Sequence, residues 1–193
     1  MNIPNNLLFF VVGRSGSGKD TLMRNSTKIL KLENINVTVL QRVITRAPDE
    51  SEKSLFVSES EFLQKKDNNE FALSWFIYGN WYGCPRESLE ASLQRGEIVL
   101  VNISRGILYE AKEKFPQSKI ILIQVPINIA QKRVELRGRE NGNHLNARLT
   151  RITEKVDMPS PDKIIINDGD LPKAAHELSS YLRTCYLNNK SKK

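Results

Sequence analysis

Residues 7–12 form an unbroken apolar run that is too short to span a membrane and suits a strand covered on both faces. A glycine-rich turn follows, and residues 21–30 then show helical spacing. Residues 37–45 are rich in β-branched side chains and predict a second strand. Ser58 with Glu61 three positions later makes a capping box, which opens a short helix through Phe62 and Leu63. Residues 72–78 and 81–82 predict a hairpin turned at Gly79-Asn80. A helix over 86–95 is closed by Gly96. Strands are then predicted at 98–101, 119–124 and 163–166, separated by helices at 107–114, 127–137 and 145–155. A last helix starts near Pro172 and runs towards Leu187.

Strands alternating with helices predict an α/β fold, three αβα layers around a parallel central sheet. Residues 42–82 break the alternation, as an inserted subdomain would. At 193 residues the chain fits a single domain with a full hydrophobic core.

Composition narrows the candidate partners. The formal net charge is +7, part of it in the tail at Lys190, Lys192 and Lys193. The remaining excess lies in scattered singles and pairs without interleaved aromatic residues, so nucleic acid is not the predicted partner. Arginines and lysines converging on a small phosphorylated anion fit the pattern better. No apolar stretch is long enough to cross a bilayer, and no basic residue precedes the run at 7–12, so neither membrane insertion nor export is expected. Cys84 and Cys185 are the only cysteines, too few for a disulfide framework or a zinc site, and a reducing cytoplasm is the expected compartment.

The candidate chemistry begins at Gly13-Arg14-Ser15-Gly16-Ser17-Gly18-Lys19, placed after a strand and before a helix. That context is the phosphate-binding loop of the P-loop NTPases. Glycines let backbone N–H groups wrap a phosphate, the helix start adds its partial positive charge, and Lys19 reaches the terminal phosphates. A plain glycine-rich turn with an exposed lysine would not need this spacing, so ATP is the expected ligand. The residue after Lys19 should carry a hydroxyl for magnesium, yet Asp20 stands there, followed by Thr21. A carboxylate is also a hard-metal ligand, so Asp20 is a candidate Mg2+ residue; a charge suited to the helix start is the other reading.

Further motifs, in order, resemble the guanylate kinase superfamily over nearly the whole chain. Ile44-Thr45-Arg46-Ala47-Pro48 matches its T-T-R-x-P, Phe56-Val57-Ser58 with Glu61-Phe62 its F-V-S-x-x-E-F, and Gly79-Asn80-Trp81-Tyr82-Gly83 its G-N-Y-Y-G. Arg133, Arg137-Gly138 and Arg148-Leu149 match the lid arginines, and Ile166-Asn167-Asp168 the V-N-D near the adenine site. The chain departs where guanine would be read. Leu73 replaces a glutamate, and the D-x-D after the strand at 98–101 becomes Val101-Asn102-Ile103. An apolar side chain cannot accept hydrogen bonds from guanine. Ser54 replaces a tyrosine and Asp49 an arginine, while Arg42 stands where serine is usual.

These departures resemble the ribose 1,5-bisphosphate phosphokinase branch. The residues that carry the likeness are Gly18-Lys19-Asp20, Arg42-x-Ile44-Thr45-Arg46, Ala72-Leu73-Ser74-Trp75, Val101-Asn102-x-Ser104-Arg105, Arg137-Gly138-Arg139-Glu140-Asn141 and Asn146-Ala147-Arg148-Leu149. The resemblance implies transfer of the γ-phosphoryl of ATP to ribose 1,5-bisphosphate, giving 5-phosphoribosyl 1-diphosphate, and a place in bacterial phosphonate breakdown. It also implies an acceptor-binding insertion at about 42–90 and a lid at about 137–148. In that scheme residues 13–21 and Asn167 bind ATP, with Lys19 and Mg2+ holding the donor. Arg133, Arg137 and Arg148 close over the transferring group, and Arg42, Arg46, Tyr82 and Arg105 anchor the acceptor. Each arginine has an alternative as a solvated ion pair.

No general base is required, because the acceptor oxygen is already ionised, and His144 and His176 are read as surface residues. Trp75, Phe76 and Trp81 are expected in the core of the insertion. A guanylate kinase and a non-catalytic binding module are the alternatives; the lost guanine carboxylates oppose the first, and the intact loop the second. The sequence fixes no oligomeric state, a homodimer included.

Overall fold

A computed structural model describes residues 6–46, 54–136, 153 and 156–191. Strand β1 (Leu8–Gly13) leads into helix α1 (Lys19–Leu32), then β2 (Val37–Val39), β3 (Val43–Ile44), β4 (Leu55–Phe56) and α2 (Glu59–Asp67). The hairpin β5 (Phe71–Ile77) and β6 (Asn80–Pro85) follows, then α3 (Arg86–Gln94) and β7 (Ile98–Asn102). A 3-10 turn at Arg105–Ile107 opens into α4 (Leu108–Lys114), then β8 (Lys119–Gln124), α5 (Ile127–Leu136), β9 (Lys163–Ile166) and α6 (Leu171–Lys190).

The main sheet is parallel and ordered β2-β7-β1-β8-β9, so the apolar run lies at its centre. Alternation divides β1 between two cores. Leu8, Phe10 and Val12 pack with Leu89, Leu108 and Ala111 from α3 and α4. Phe9 and Val11 pack with Leu22 and Leu30 of α1 and Leu178 and Leu182 of α6. Across that second core the buried Ser26 hydroxyl donates to the Ala175 carbonyl at 3.1 Å, tying α1 to α6. The three expected layers are present.

A second sheet, ordered β4-β3-β6-β5, is mostly antiparallel. Helix α2 closes one of its faces with Phe62, whose ring stacks on Phe71 at 4.6 Å and Trp81 at 5.6 Å. Ile44, Trp75 and Tyr82 belong instead to the core shared with the main sheet.

Two expectations are corrected. The strand read over 37–45 is two strands in different sheets. Leu40 makes the last bond to the main sheet, its N–H donating to Leu100 at 2.9 Å, and the Arg42 carbonyl then accepts from Leu55 at 2.8 Å. β-branched composition continues through the break, because propensity does not report which edge a strand joins. The hairpin turns at Tyr78-Gly79, one residue earlier than expected. Ile77 pairs with Asn80, and the two intervening residues have φ of 52° and 72°, as a type I′ turn requires. The Asn80 side chain donates to the Tyr78 carbonyl at 2.7 Å, supporting a left-handed residue that is not glycine. The helix expected over 145–155, apart from Thr153, and the lid lie outside the described residues. Among the described residues no helix is long and apolar enough to cross a membrane.

The capping box forms as predicted: Ser58 accepts from the Glu61 N–H, and Glu61 accepts from the Ser58 N–H at 2.7 Å. Ser58→Ala should lower stability by about 1 kcal/mol, read as a lower urea midpoint at unchanged slope. Bonding to Ser58 holds the Glu61 carboxyl below its ordinary range. The box's contribution is therefore full above that range and lost as pH falls through the lowered value. The difference between wild type and Ser58→Ala should shrink in acid.

Candidate active site

The loop between β1 and α1 sits at the carboxyl edge of the main sheet, where crevices beside a central strand take ligands. Gly18 caps α1 with φ of 80° and no side-chain cap, so the first N–H groups of a 14-residue helix have no side chain competing for them. Gly16, at φ of 76°, lies so close to α5 that a Cβ would stand 2.4 Å from the Ala130 carbonyl oxygen. Lys19 curls over the loop and donates to the carbonyls of Gly13 at 3.0 Å and Arg14 at 3.1 Å. Ser17 is fully buried, and its hydroxyl accepts from Lys19 at 3.3 Å. Ser15 faces the cleft, whereas Arg14 borders an adjoining cavity of about 650 Å3 with Arg105, Leu122 and Ile166. Thr21 is partly buried in the first turn of α1, away from the cleft wall.

Asn167 and Arg133 hold the loop from behind. Asn167 is buried beyond β9, its N–H donating to Gln124 and its side-chain amide to the Ser17 carbonyl, both at 2.8 Å. Its Oδ1 is buried with no hydrogen-bond partner among the described residues. Arg133 projects from α5 to the carbonyls of Gly16 and Asn167, each at 3.4 Å. The resemblance implies Asn167 near the adenine site and Arg133 over the transferring group; in the structure both side chains donate to the loop backbone. Arg137 and Arg148 lie outside the described residues.

Asp20, in the first turn of α1, accepts from the side-chain amide of Asn102 at 2.9 Å. Asn102 ends β7 and is 7% exposed. Its main-chain carbonyl accepts from Arg42 at 3.0 Å. The Arg42 guanidinium stands 5.5 Å from the ring centroid of Tyr82, which stacks on Trp75 at 5.5 Å and 7°. Asp20, Asn102, Arg42, Tyr82 and Trp75 thus form one wall joining the loop to the second sheet. Arg46 and Arg105 complete a cleft enclosing about 140 Å3; among the described residues that line it, four are cationic and Asp20 is the one carboxylate. Such an excess of positive charge suits polyphosphate anions.

The remaining candidates separate clearly. Leu73 is 1% exposed, in the same core as Trp75 and Tyr82, and brings no polar group to the acceptor side. Cys84 is fully buried, and burial pushes its thiol up to about 12 despite the opposing charge of Arg42, so it is not a nucleophile. Among the described residues no group of three or more His, Cys, Asp and Glu could hold a metal by itself. Trp81 packs in the core of the second sheet as expected, Trp75 lies in the core shared with the main sheet, and Phe76 is 55% exposed at the edge of the second sheet. His176 is exposed on α6, and His144 lies outside the described residues. Sequence reasoning counted Asn102 within the altered D-x-D segment and the Val101-Asn102-x-Ser104-Arg105 likeness and gave it no role of its own. Its place at the end of a strand beside the loop was the signal that it belongs to the site.

A family model described as guanylate kinase matches residues 6–185. The ribose 1,5-bisphosphate phosphokinase PhnN of Acidiphilium cryptum is 37% identical over 168 residues, covering 87% of each chain. The bifunctional ribose 1,5-bisphosphokinase-thymidine phosphorylase of Cupriavidus necator is 34% identical over 91% of this chain, which spans 29% of that longer protein. Among solved structures, the guanylate kinase of Anaplasma phagocytophilum superimposes with a TM-score of 0.65 at 25% identity, covering 91% of this chain and 85% of its own.

Two substitutions check the loop's support. Asn167→Ala should weaken ATP binding about tenfold, because it leaves the Ser17 carbonyl without its donor. Gly16→Ala should abolish measurable ATP binding, since the new methyl meets backbone in α5. Calorimetric titration reads both effects, with circular dichroism confirming retained secondary structure.

Proposed function

The chain belongs to the guanylate kinase family, and from that premise we propose that it is an ATP-dependent kinase that phosphorylates ribose 1,5-bisphosphate to 5-phospho-α-D-ribose 1-diphosphate. The observation that carries this reading is a cleft lined by Lys19, Arg42, Arg46 and Arg105, and Leu73 supports it as an apolar, buried residue at the sequence position where the resemblance expects a guanine-reading glutamate. The relatives named ribose 1,5-bisphosphate phosphokinase support the same acceptor.

The acceptor's 1-phosphate has its second pKa at about 6, so its attacking oxygen needs no base at neutral pH. That oxygen forms a bond to the γ-phosphorus of ATP as the bridge to the β-phosphate breaks, and ADP leaves. The protein's work is alignment and charge neutralisation. Lys19 and the N–H groups of the loop hold the donor phosphates. Arg42, Arg46 and Arg105 hold the two phosphates of the acceptor, with Tyr82 at the side of the sugar, so the second sheet is the acceptor-binding insertion of a single domain. Arg133, Arg137 and Arg148 provide the positive charge around the transferring group.

Asp20 fits Mg2+. Its Oδ1 is engaged by Asn102 while Oδ2 accepts no hydrogen bond among the described residues, and a site with one carboxylate plus substrate phosphates is the usual magnesium arrangement. Bound there, the ion would offset charge on the phosphate oxygens. The polyanionic small-molecule substrates and the relatives' phosphokinase names fit a cytoplasmic enzyme of bacterial phosphonate breakdown.

Phosphorus NMR of protein with Mg–ATP and either ribose 1,5-bisphosphate or GMP tests the acceptor. New diphosphate resonances are expected with the sugar alone, and turnover of GMP alone would overturn the reading. Arg46→Ala should raise KM for the sugar bisphosphate about tenfold or more while KM for ATP changes little, as loss of a charge-assisted hydrogen bond predicts.

A further inference from the structure

In the usual P-loop NTPase site, magnesium is held by the hydroxyl after the loop lysine and by an aspartate from the neighbouring strand. This chain has a carboxylate in the first position, Asp20, and the side chain that the neighbouring strand turns towards it is an amide, that of Asn102. Asn102 lies on β7, the parallel neighbour of β1, directly across from Val11. The two side chains meet at 2.9 Å, donor on the strand and acceptor on the helix.

We propose that Asp20 and Asn102 are an exchanged metal pair, in which the single negative charge has moved from the strand to the helix and Asn102 is the positioning residue that orients it. This rests on the kinase reading and deepens its metal site. Three features support the exchange. Asn102 is almost fully buried, so its amide is held in one place, and only a neutral partner there avoids a second carboxylate within hydrogen-bonding distance of Asp20. The amide engages Oδ1 alone, leaving Oδ2 for a cation beside Lys19. The Asn102 carbonyl is held by Arg42, so the residue that orients the metal ligand also anchors an arginine of the acceptor side. Outer partners of this kind orient ligands without touching the ion.

The test measures Mn2+ binding in the presence of ADP, by loss of the free-ion paramagnetic resonance signal. ADP binding in chelator is measured in parallel by calorimetry. Asp20→Ser should weaken Mn2+ binding about tenfold or more, and Asn102→Ala about tenfold, with no fall in metal-free ADP affinity in either; loss of the Asp20 charge beside the phosphates can only raise it. Adding Asn102→Asp to Asp20→Ser rebuilds the usual pair and should return Mn2+ affinity to within about threefold of wild type, the coupling that a double-mutant cycle measures. The proposal is overturned if the double variant binds Mn2+ no better than Asp20→Ser, or if Asn102→Ala leaves Mn2+ affinity unchanged. A parallel fall in metal-free ADP affinity would also overturn it, since that marks general damage to the loop. Asn102→Ala adds no charge and remains a separate arm should the double variant fail to fold. No sugar is present, so a wrong acceptor and a wrong metal pair give different results.

Discussion

The two-sided burial of β1 is the constraint from which the rest of the molecule follows. Its side chains at 8 through 12 are fully excluded from water and alternate between two cores. A one-residue slip would send each set into the other core, so the register is strongly specified. Truncating Phe9 or Phe10 would forfeit about 3–5 kcal/mol, a large share of a domain's net stability. The loop that leaves this strand inherits its fixed position. That rigidity lets backbone N–H groups be aimed at a phosphate before one arrives, which is what electrostatic preorganisation demands.

The cleft concentrates positive charge, and the fold manages it with polar contacts already in place. Lys19 rests on two loop carbonyls and the Ser17 hydroxyl, and Arg42 rests on the Asn102 carbonyl and the Tyr82 ring. Each contact limits the freedom the side chain must surrender when an anion binds. The wall from Asp20 to Trp75 crosses from one sheet to the other, so donor and acceptor groups share a single framework.

Much of this was legible in the sequence, for identifiable reasons. Residues 119–124 and 163–166 were read to the residue because each is a short β-branched run bounded by polar turns, although the second is a largely exposed edge strand. The capping box and the loop were legible because their chemistry is local. The break at 40–42 was not, since it depends on Leu40 finding Leu100 while Arg42 finds Leu55. The hairpin turn moved by one residue because Tyr78 adopts a positive φ that the Gly79-Asn80 pair seemed better suited to supply. Asn102 and Asn167 act through partners 82 and 150 positions away, and only the folded chain shows which groups they meet. The resemblance assigned Asn167 to the adenine site and Arg133 to the transferring group but could not say that both donate to the loop's backbone.

The contact between Gly16 and Ala130 has a consequence of its own. With no room for a methyl group between them, the loop and α5 behave as one mechanical piece. Helix α5 is described as far as Leu136, next in sequence to the segment that the family resemblance assigns to the lid. Any free energy by which a seated phosphate favours one placement of α5 must, by linkage, return as tighter phosphate binding when α5 is already so placed. A helix that looks like packing on the side of the sheet is therefore a thermodynamic port into the loop.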